Sequence, residues 1–156
     1  MILLIHCFLI LALAYLAYID FVSFRIADLI TIPLIVLGIL FNSISSLRFT
    51  DGFSAIVGAC LGYLFIWTIN FFYRLIKKHH GIGMGDAKLL SALGAWFGGW
   101  ALPPILLIAS ITGLVGGLIW LKWNQRHYQE PFPFGPFLAI AGIIQLLWPQ
   151  LLPPLL

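Results

Sequence analysis

The sequence predicts an all-α, polytopic integral membrane protein with about six transmembrane helices. Hydrophobic residues make up 62% of the 156 residues and charged residues only 8%, whereas soluble domains carry about 25% charged residues. The mean hydropathy is +1.09. The apolar runs are long and unbroken, which excludes the alternating pattern of a membrane β-barrel. Since one spanning helix needs about 20 apolar residues, we expect residues 1–156 to form a single transmembrane domain.

Each predicted helix is bounded by a polar or helix-breaking segment. The first ends at Asp20, the second at the polar stretch 45–52 and the third at the basic cluster 77–80. A glycine-rich segment precedes the fourth, Pro103-Pro104 opens the fifth, and a proline-rich segment precedes the sixth. The predicted spans are about 2–19, 29–44, 53–76, 89–100, 103–120 and 137–148.

The distribution of basic residues predicts the orientation. Loops one, three and five share a side of the membrane and hold Arg25, Arg74, Lys77, Lys78, Lys88, Lys122 and Arg126, while loops two and four hold only Arg48. Because basic loops face the cytoplasm, the odd loops are expected there, with both termini outside. The net charge of +3 is spread thinly along the chain, so it gives no indication of nucleic-acid binding.

Four of the five acidic residues fall on the predicted cytoplasmic face: Asp20, Asp28, Asp86 and Glu130. Acidic groups at a membrane boundary are costly to place and tend to be functional. Asp86 follows glycines 81, 83 and 85, which allow backbone conformations closed to other residues. If the first and fourth helices pack together, the Asp20 and Asp86 carboxyls would meet across a single water. Two such groups can divide the roles of acid and base.

Each aspartate also has a simpler interpretation. Asp86 could be the N-cap of the fourth helix, where a carboxylate pairs with free N–H groups, and Asp20 could be a solvated residue at the membrane edge. Lys88 could anchor the cytoplasmic face or tune the nearby Asp86.

Three blocks resemble the type IV prepilin peptidases. Gly83-Met84-Gly85-Asp86-Ala87-Lys88 matches the GxGD motif of that family. The segment 19–42, which contains Asp20 and Asp28, is similar to its first aspartate block, and Pro133-Phe134-Gly135-Pro136 resembles its PFGP segment. The three blocks occur in the family's order, and the resemblance extends over most of the chain, from about Tyr18 to Trp148.

The resemblance implies a membrane-embedded aspartic endopeptidase with Asp20 and Asp86 as catalytic residues. Gly83, Gly85, Asp28 and Lys88 would support them, without metal or cofactor. The expected substrates are type IV prepilins or pseudopilins, whose basic leader is cut at the cytoplasmic face of the inner membrane while the substrate helix stays in the bilayer. The chain resembles a short form without the paired CxxC zinc region, so we expect no N-methyltransferase activity.

Two alternatives belong to other functional classes. A small proton or cation transporter would also use membrane carboxylates, although such proteins place them near the bilayer midplane within broken helices. A non-catalytic membrane scaffold is the other, but both aspartates and the glycine run are present.

Overall fold

The computed structural model describes residues 2–23, 26, 28–77, 83–124 and 133–148. These residues form six α-helices and one short 3-10 turn, Gly99–Ala101, with no strand among them. The α-helices are α1 Ile2–Ser23, α2 Asp28–Ile44, α3 Gly52–Lys77, α4 Met84–Phe97, α5 Leu102–Asn124 and α6 Gly135–Leu147. The predicted all-α architecture is therefore confirmed.

The apolar helices make the protein a multi-pass membrane protein. The segments Ile2–Ser23, Gly52–Ile76 and Gly99–Ile119 are long and apolar enough to cross a bilayer, and α2 and α6 are shorter apolar helices. Large apolar side chains on α1, α3 and α5 point outward, as expected of surfaces in contact with lipid.

Helix α4 lies at the centre of the molecule. Its 14 residues span about 21 Å at 1.5 Å per residue, less than the hydrocarbon core of about 30 Å. Every residue from Leu89 to Trp96 is buried, which is typical of a helix enclosed by others. Helices α2, α3 and α6 pack around it.

Helices α3 and α4 approach each other closely through glycines. A Cβ added at Gly62 would lie 2.7 Å from the Leu90 carbonyl oxygen, and one added at Gly58 or Gly94 would collide with the backbone of the opposite helix. Small residues four apart permit this kind of contact between membrane helices. The Ser91 hydroxyl also donates a hydrogen bond to the Ala59 carbonyl at 2.8 Å.

Helix α2 is joined to α4 by polar side chains. The indole N–H of Trp96 donates to the Leu34 carbonyl at 2.9 Å. The buried Asn42 amide donates to the carbonyls of Ala95 and Trp96, both at 2.9 Å. Since the last carbonyls of a helix have no partner within it, Asn42 satisfies two groups that the end of α4 would otherwise leave unpaired.

The boundaries of α1 and α4 differ from those predicted. Helix α1 continues beyond the predicted end to Ser23, so Asp20 lies inside the helix. Helix α4 begins at Met84 and ends at Phe97 instead of covering 89–100. It ends there because Gly98 adopts a positive φ of 83°, which glycine allows at a helix end.

We predict that Asn42→Leu destabilises the fold. Besides its two carbonyl partners, the Asn42 oxygen accepts the N–H groups of Phe49 and Thr50 at 2.9 and 3.2 Å. Because each unpaired buried group costs about 1–3 kcal/mol, we expect the free energy of unfolding to fall by about 2–3 kcal/mol, measured in detergent micelles. The control is Ser43→Ala, whose exposed hydroxyl bonds only within α2. An equal loss in both variants would contradict the assigned role of Asn42.

Candidate active site

Asp20 lies on the buried face of α1. That face consists of Leu9, Leu13, Leu16 and Asp20, a helical spacing that places all four on one side. The helix packs with α6, and the Asp20 side chain is only 5% exposed. The interpretation of Asp20 as a solvated residue at the membrane edge is therefore wrong.

The carboxylate of Asp20 is bonded to the first residue of α6. The backbone N–H of Gly135 donates to Asp20 Oδ2 at 3.0 Å. The first N–H groups of a helix have no partner within it, and the positive end of the helix dipole favours an anion there. Helix α6 thus supplies a donor and a favourable field to this carboxylate.

Residue 135 has to be glycine for this contact. An ideal Cβ there would lie 2.6 Å from Asp20 Oδ2 and 2.9 Å from its Cγ, closer than real Cβ contacts. Pro136 follows in the first turn of α6, where its fixed φ suits a helix start. Sequence reasoning did not assign Gly135 to the site, although it lies in the PFGP segment that carried part of the resemblance.

Asp86 lies in the first turn of α4 and is 8% exposed. The N-cap position is occupied by Gly83, whose backbone is extended, with φ −64° and ψ 132°. The Asp86 N–H donates to the Gly83 carbonyl at 3.2 Å. The interpretation of Asp86 as the N-cap is therefore wrong: its side chain projects into the protein from within the helix.

The two predicted supporting glycines differ in their surroundings. A Cβ at Gly85 would lie 2.8 Å from Ile26 Cβ, whereas a Cβ at Gly83 would make only ordinary contact, 3.6 Å from Asp86 Oδ2. Gly85 is thus needed for close packing and Gly83 is not. The first glycine of the run, Gly81, lies outside the described residues.

Ile26 fills the space between the starts of α4 and α6. Besides its contact with Gly85, its Cδ1 would lie 3.1 Å from a Cβ on Gly135. The side chain is 8% exposed. Ile26 therefore packs against both helix starts, one of which contacts Asp20 while the other carries Asp86.

The two carboxylates share one site. Ile26 packs against the start of α6, whose Gly135 N–H binds Asp20, and against the start of α4, which carries Asp86. The helices of the two aspartates are connected through α6, which packs with both α1 and α4. Deeper in the bundle, a Cβ on Gly142 would contact Leu93 of α4 at 2.5 Å and Leu13 of α1 at 3.4 Å. The predicted meeting of the aspartates depends on this intermediate helix.

Asp28 and Lys88 form an ion pair beside this site. Lys88 Nζ lies 2.5 Å from Asp28 Oδ1, with the side chains 26% and 57% exposed. Lys88 follows Asp86 by two residues, and side chains at that spacing do not face each other on a helix. The partner of Lys88 is thus Asp28, while Glu130 lies outside the described residues.

The arrangement suits acid–base chemistry by a carboxyl pair. Two close carboxyls favour one ionised and one protonated group, which can act as base and acid in the same reaction. Within the described part of the chain, no three His, Cys, Asp or Glu side chains are grouped as a metal site requires.

Fold and site together define a multi-pass helical membrane protein with a pair of buried aspartates near the ends of two helices. Residues 7–118 match the model of the type IV leader peptidase family. Because this match covers more than half of the 156 residues, the chain belongs to that family. The resemblance inferred from the three sequence blocks is thereby confirmed.

Curated relatives agree with this assignment. The chain is 42% identical over 136 residues to a prepilin leader peptidase/N-methyltransferase of Aeromonas hydrophila, covering 87% of this chain and 46% of the relative. It is 44% identical over 131 residues to the protein of that name from Dickeya chrysanthemi, covering 84% and 46%. The chain thus spans less than half the length of these relatives. No solved structure matches it.

Proposed function

We propose that this chain is a membrane-embedded aspartic endopeptidase that removes the leader peptides of type IV prepilins or pseudopilins. The observation that carries the proposal is that Asp20 and Asp86 are both buried, beside helix starts that Ile26 packs together. Membership of the leader peptidase family supports the substrate class. The proposal assigns this activity to a single transmembrane peptidase domain over residues 1–156.

In the proposed reaction Asp20 is the ionised carboxylate. It accepts the Gly135 N–H at the start of α6, and the helix dipole favours negative charge there. Asp20 removes a proton from a water molecule, whose oxygen attacks the scissile carbonyl carbon. Asp86 gives its proton to the carbonyl oxygen, which forms a tetrahedral intermediate.

Collapse of that intermediate breaks the C–N bond. The leaving nitrogen takes the proton held by Asp20, and one hydroxyl of the intermediate returns a proton to Asp86. The products are a carboxylic acid and an amine, and both aspartates regain their starting protonation states. No covalent enzyme intermediate is formed, so no nucleophilic side chain is required.

The proposed location is the inner membrane, with the site at its cytoplasmic face and both termini outside. The excess of Lys and Arg in the odd loops supports this orientation. The lipid bilayer is the expected surrounding of α1, α3 and α5, whose apolar side chains are exposed. The absence of N-methyltransferase activity stays a prediction, although the curated relatives carry both activities in their names.

The transporter and scaffold alternatives are less well supported than the peptidase. Membership of a peptidase family favours an enzyme. The carboxylates lie in the last turn of α1 and the first turn of α4, away from the midplane positions typical of transporters. Aspartate-dependent proton or cation uptake by protein in liposomes would favour transport instead.

We predict that Asp20→Asn and Asp86→Asn each abolish leader cleavage. Each change keeps the shape of the side chain and removes the acid or base, a loss of about 10²–10⁴-fold. The measurement is cleavage of a type IV prepilin by protein in detergent or membranes. Full activity in either folded variant would exclude that residue from the pair.

Asp51→Asn provides the matched control. Asp51 Oδ2 accepts the Ser54 N–H at 2.9 Å, and this bonding holds the pKa of the Asp51 carboxyl below its usual value. The variant therefore removes a charge, while asparagine still caps the start of α3. Cleavage should be unchanged, and an equal loss would show that any lost carboxylate impairs the protein.

We further predict that Gly135→Ala reduces kcat while the protein stays folded. The new methyl group would displace the Asp20 carboxylate, and a misplacement of about 1 Å can cost about 10²-fold in rate. Ile140→Ala in the same helix is the control because the Ile140 side chain is exposed, away from the buried face of α6. Equal kcat values for the two variants would contradict the assigned role of Gly135.

A further inference from the structure

The Asp28–Lys88 ion pair joins two parts of the chain that carry the candidate catalytic residues. Asp28 is the first residue of α2 and follows Asp20 by eight residues, and Lys88 lies two residues after Asp86. The partners are 60 residues apart in sequence and 2.5 Å apart in space. The contact therefore connects the first aspartate block to the GxGD helix.

The geometry of α4 gives its two charged side chains different directions. Residues two apart on a helix project about 200° from each other. Asp86 is 8% exposed, whereas Lys88 is 26% exposed and reaches α2. Lys88 is thus directed away from the carboxyl pair.

A second contact lies close to the ion pair in the sequence. Ile26, two residues before Asp28, packs against Gly85 of α4 and Gly135 of α6. The ion pair thus attaches the start of α2 to α4, and Ile26 packs against the starts of α4 and α6. Ile26 and Asp28 follow α1, which carries Asp20 three residues before its end, so their contacts constrain where Asp20 lies relative to Asp86.

We infer that the Asp28–Lys88 ion pair is a clamp that holds the start of α2 on α4 and sets the distance between Asp20 and Asp86. Asp28 and Lys88 are then positioning residues. This inference rests on the proposed function for its catalytic consequence. It also implies that the charge of Asp28 is used within the protein and does not bind the basic leader of the substrate.

The clamp should affect catalysis more than stability. Partly exposed ion pairs contribute little to folding free energy, whereas a shift of about 1 Å in a catalytic group can lower the rate by about 10²-fold. The single variants Asp28→Asn and Lys88→Met should therefore fold. We expect each to lower kcat for prepilin cleavage by about tenfold or more, with little change in KM.

The decisive variant exchanges the charges, Asp28→Lys combined with Lys88→Asp. An ion pair in reversed orientation can still hold the start of α2 on α4. We therefore expect kcat to recover to within about threefold of the wild-type value, a difference in free energy of the size of one weak ion pair. Lys88→Arg should also retain activity. The control Lys122→Met removes an exposed lysine near the end of α5 and should leave cleavage unchanged.

Two results of the cleavage assay would overturn the clamp. One is a charge-exchanged protein that folds and remains as inactive as the single variants. The other is a rise in KM for Asp28→Asn that disappears when the leader's basic residues are neutralised, because Asp28 would then bind the leader directly.

A second measurement tests the clamp without catalysis. Hydrogen exchange at the Gly135 amide reports its bond to Asp20. The exchange should be faster in both single variants and return towards the wild-type rate in the charge-exchanged protein. Unchanged exchange in the single variants would overturn the clamp. Failure of the wild type to cut any prepilin would instead count against the proposed function alone.

Discussion

The fold depends on enclosing a helix that is too short to cross the bilayer alone. Helix α4 has 14 residues. It carries Asp86 at its first turn, and the carbonyls of its last turn have no partner within the helix. A helix end exposed to hydrocarbon would leave backbone groups without partners, which is costly there. Asn42 donates to the carbonyls of Ala95 and Trp96, so helix α2 supplies the hydrogen-bond donors that these carbonyls lack within α4. Close packing with α3 through glycines then fixes its position.

Helix α6 packs against both α4 and α1, and it therefore relates the position of Asp20 to that of α4. In the middle of the bundle its Gly142 lies between Leu13 of α1 and Leu93 of α4, and at its start Gly135 contacts Asp20. The same small-residue packing that brings the helices together thus places a backbone donor against the carboxylate. Ile26 closes the remaining space between the starts of α4 and α6. The site is therefore a consequence of helix packing as much as of the acidic residues.

The sequence predicted the number and order of the helices because hydropathy reports which segments leave water. The small number of acids in so apolar a chain indicated Asp20 and Asp86 as candidates, and their catalytic role, which the family resemblance implies, stays a prediction. It missed the start of α4, since the polar residues of its first turn hide the helix from a hydropathy pattern. The partners of Gly135 and Lys88 were also missed. Both contacts join residues at least 60 positions apart, and such pairing is decided by tertiary packing.

The position of the carboxylates also limits the chemistry that they can perform. Hydrolysis requires water and an extended stretch of substrate backbone, whose N–H and C=O groups cannot be left unpaired in hydrocarbon. Carboxyls near helix ends meet this requirement because water and irregular backbone are available at the membrane surface. Asp20 in the last turns of α1, Asp86 in the first turn of α4 and Gly135 at the start of α6 meet this requirement on one side of the bundle. A midplane ion site would need interrupted helices, whereas α1 and α4 are continuous through these residues.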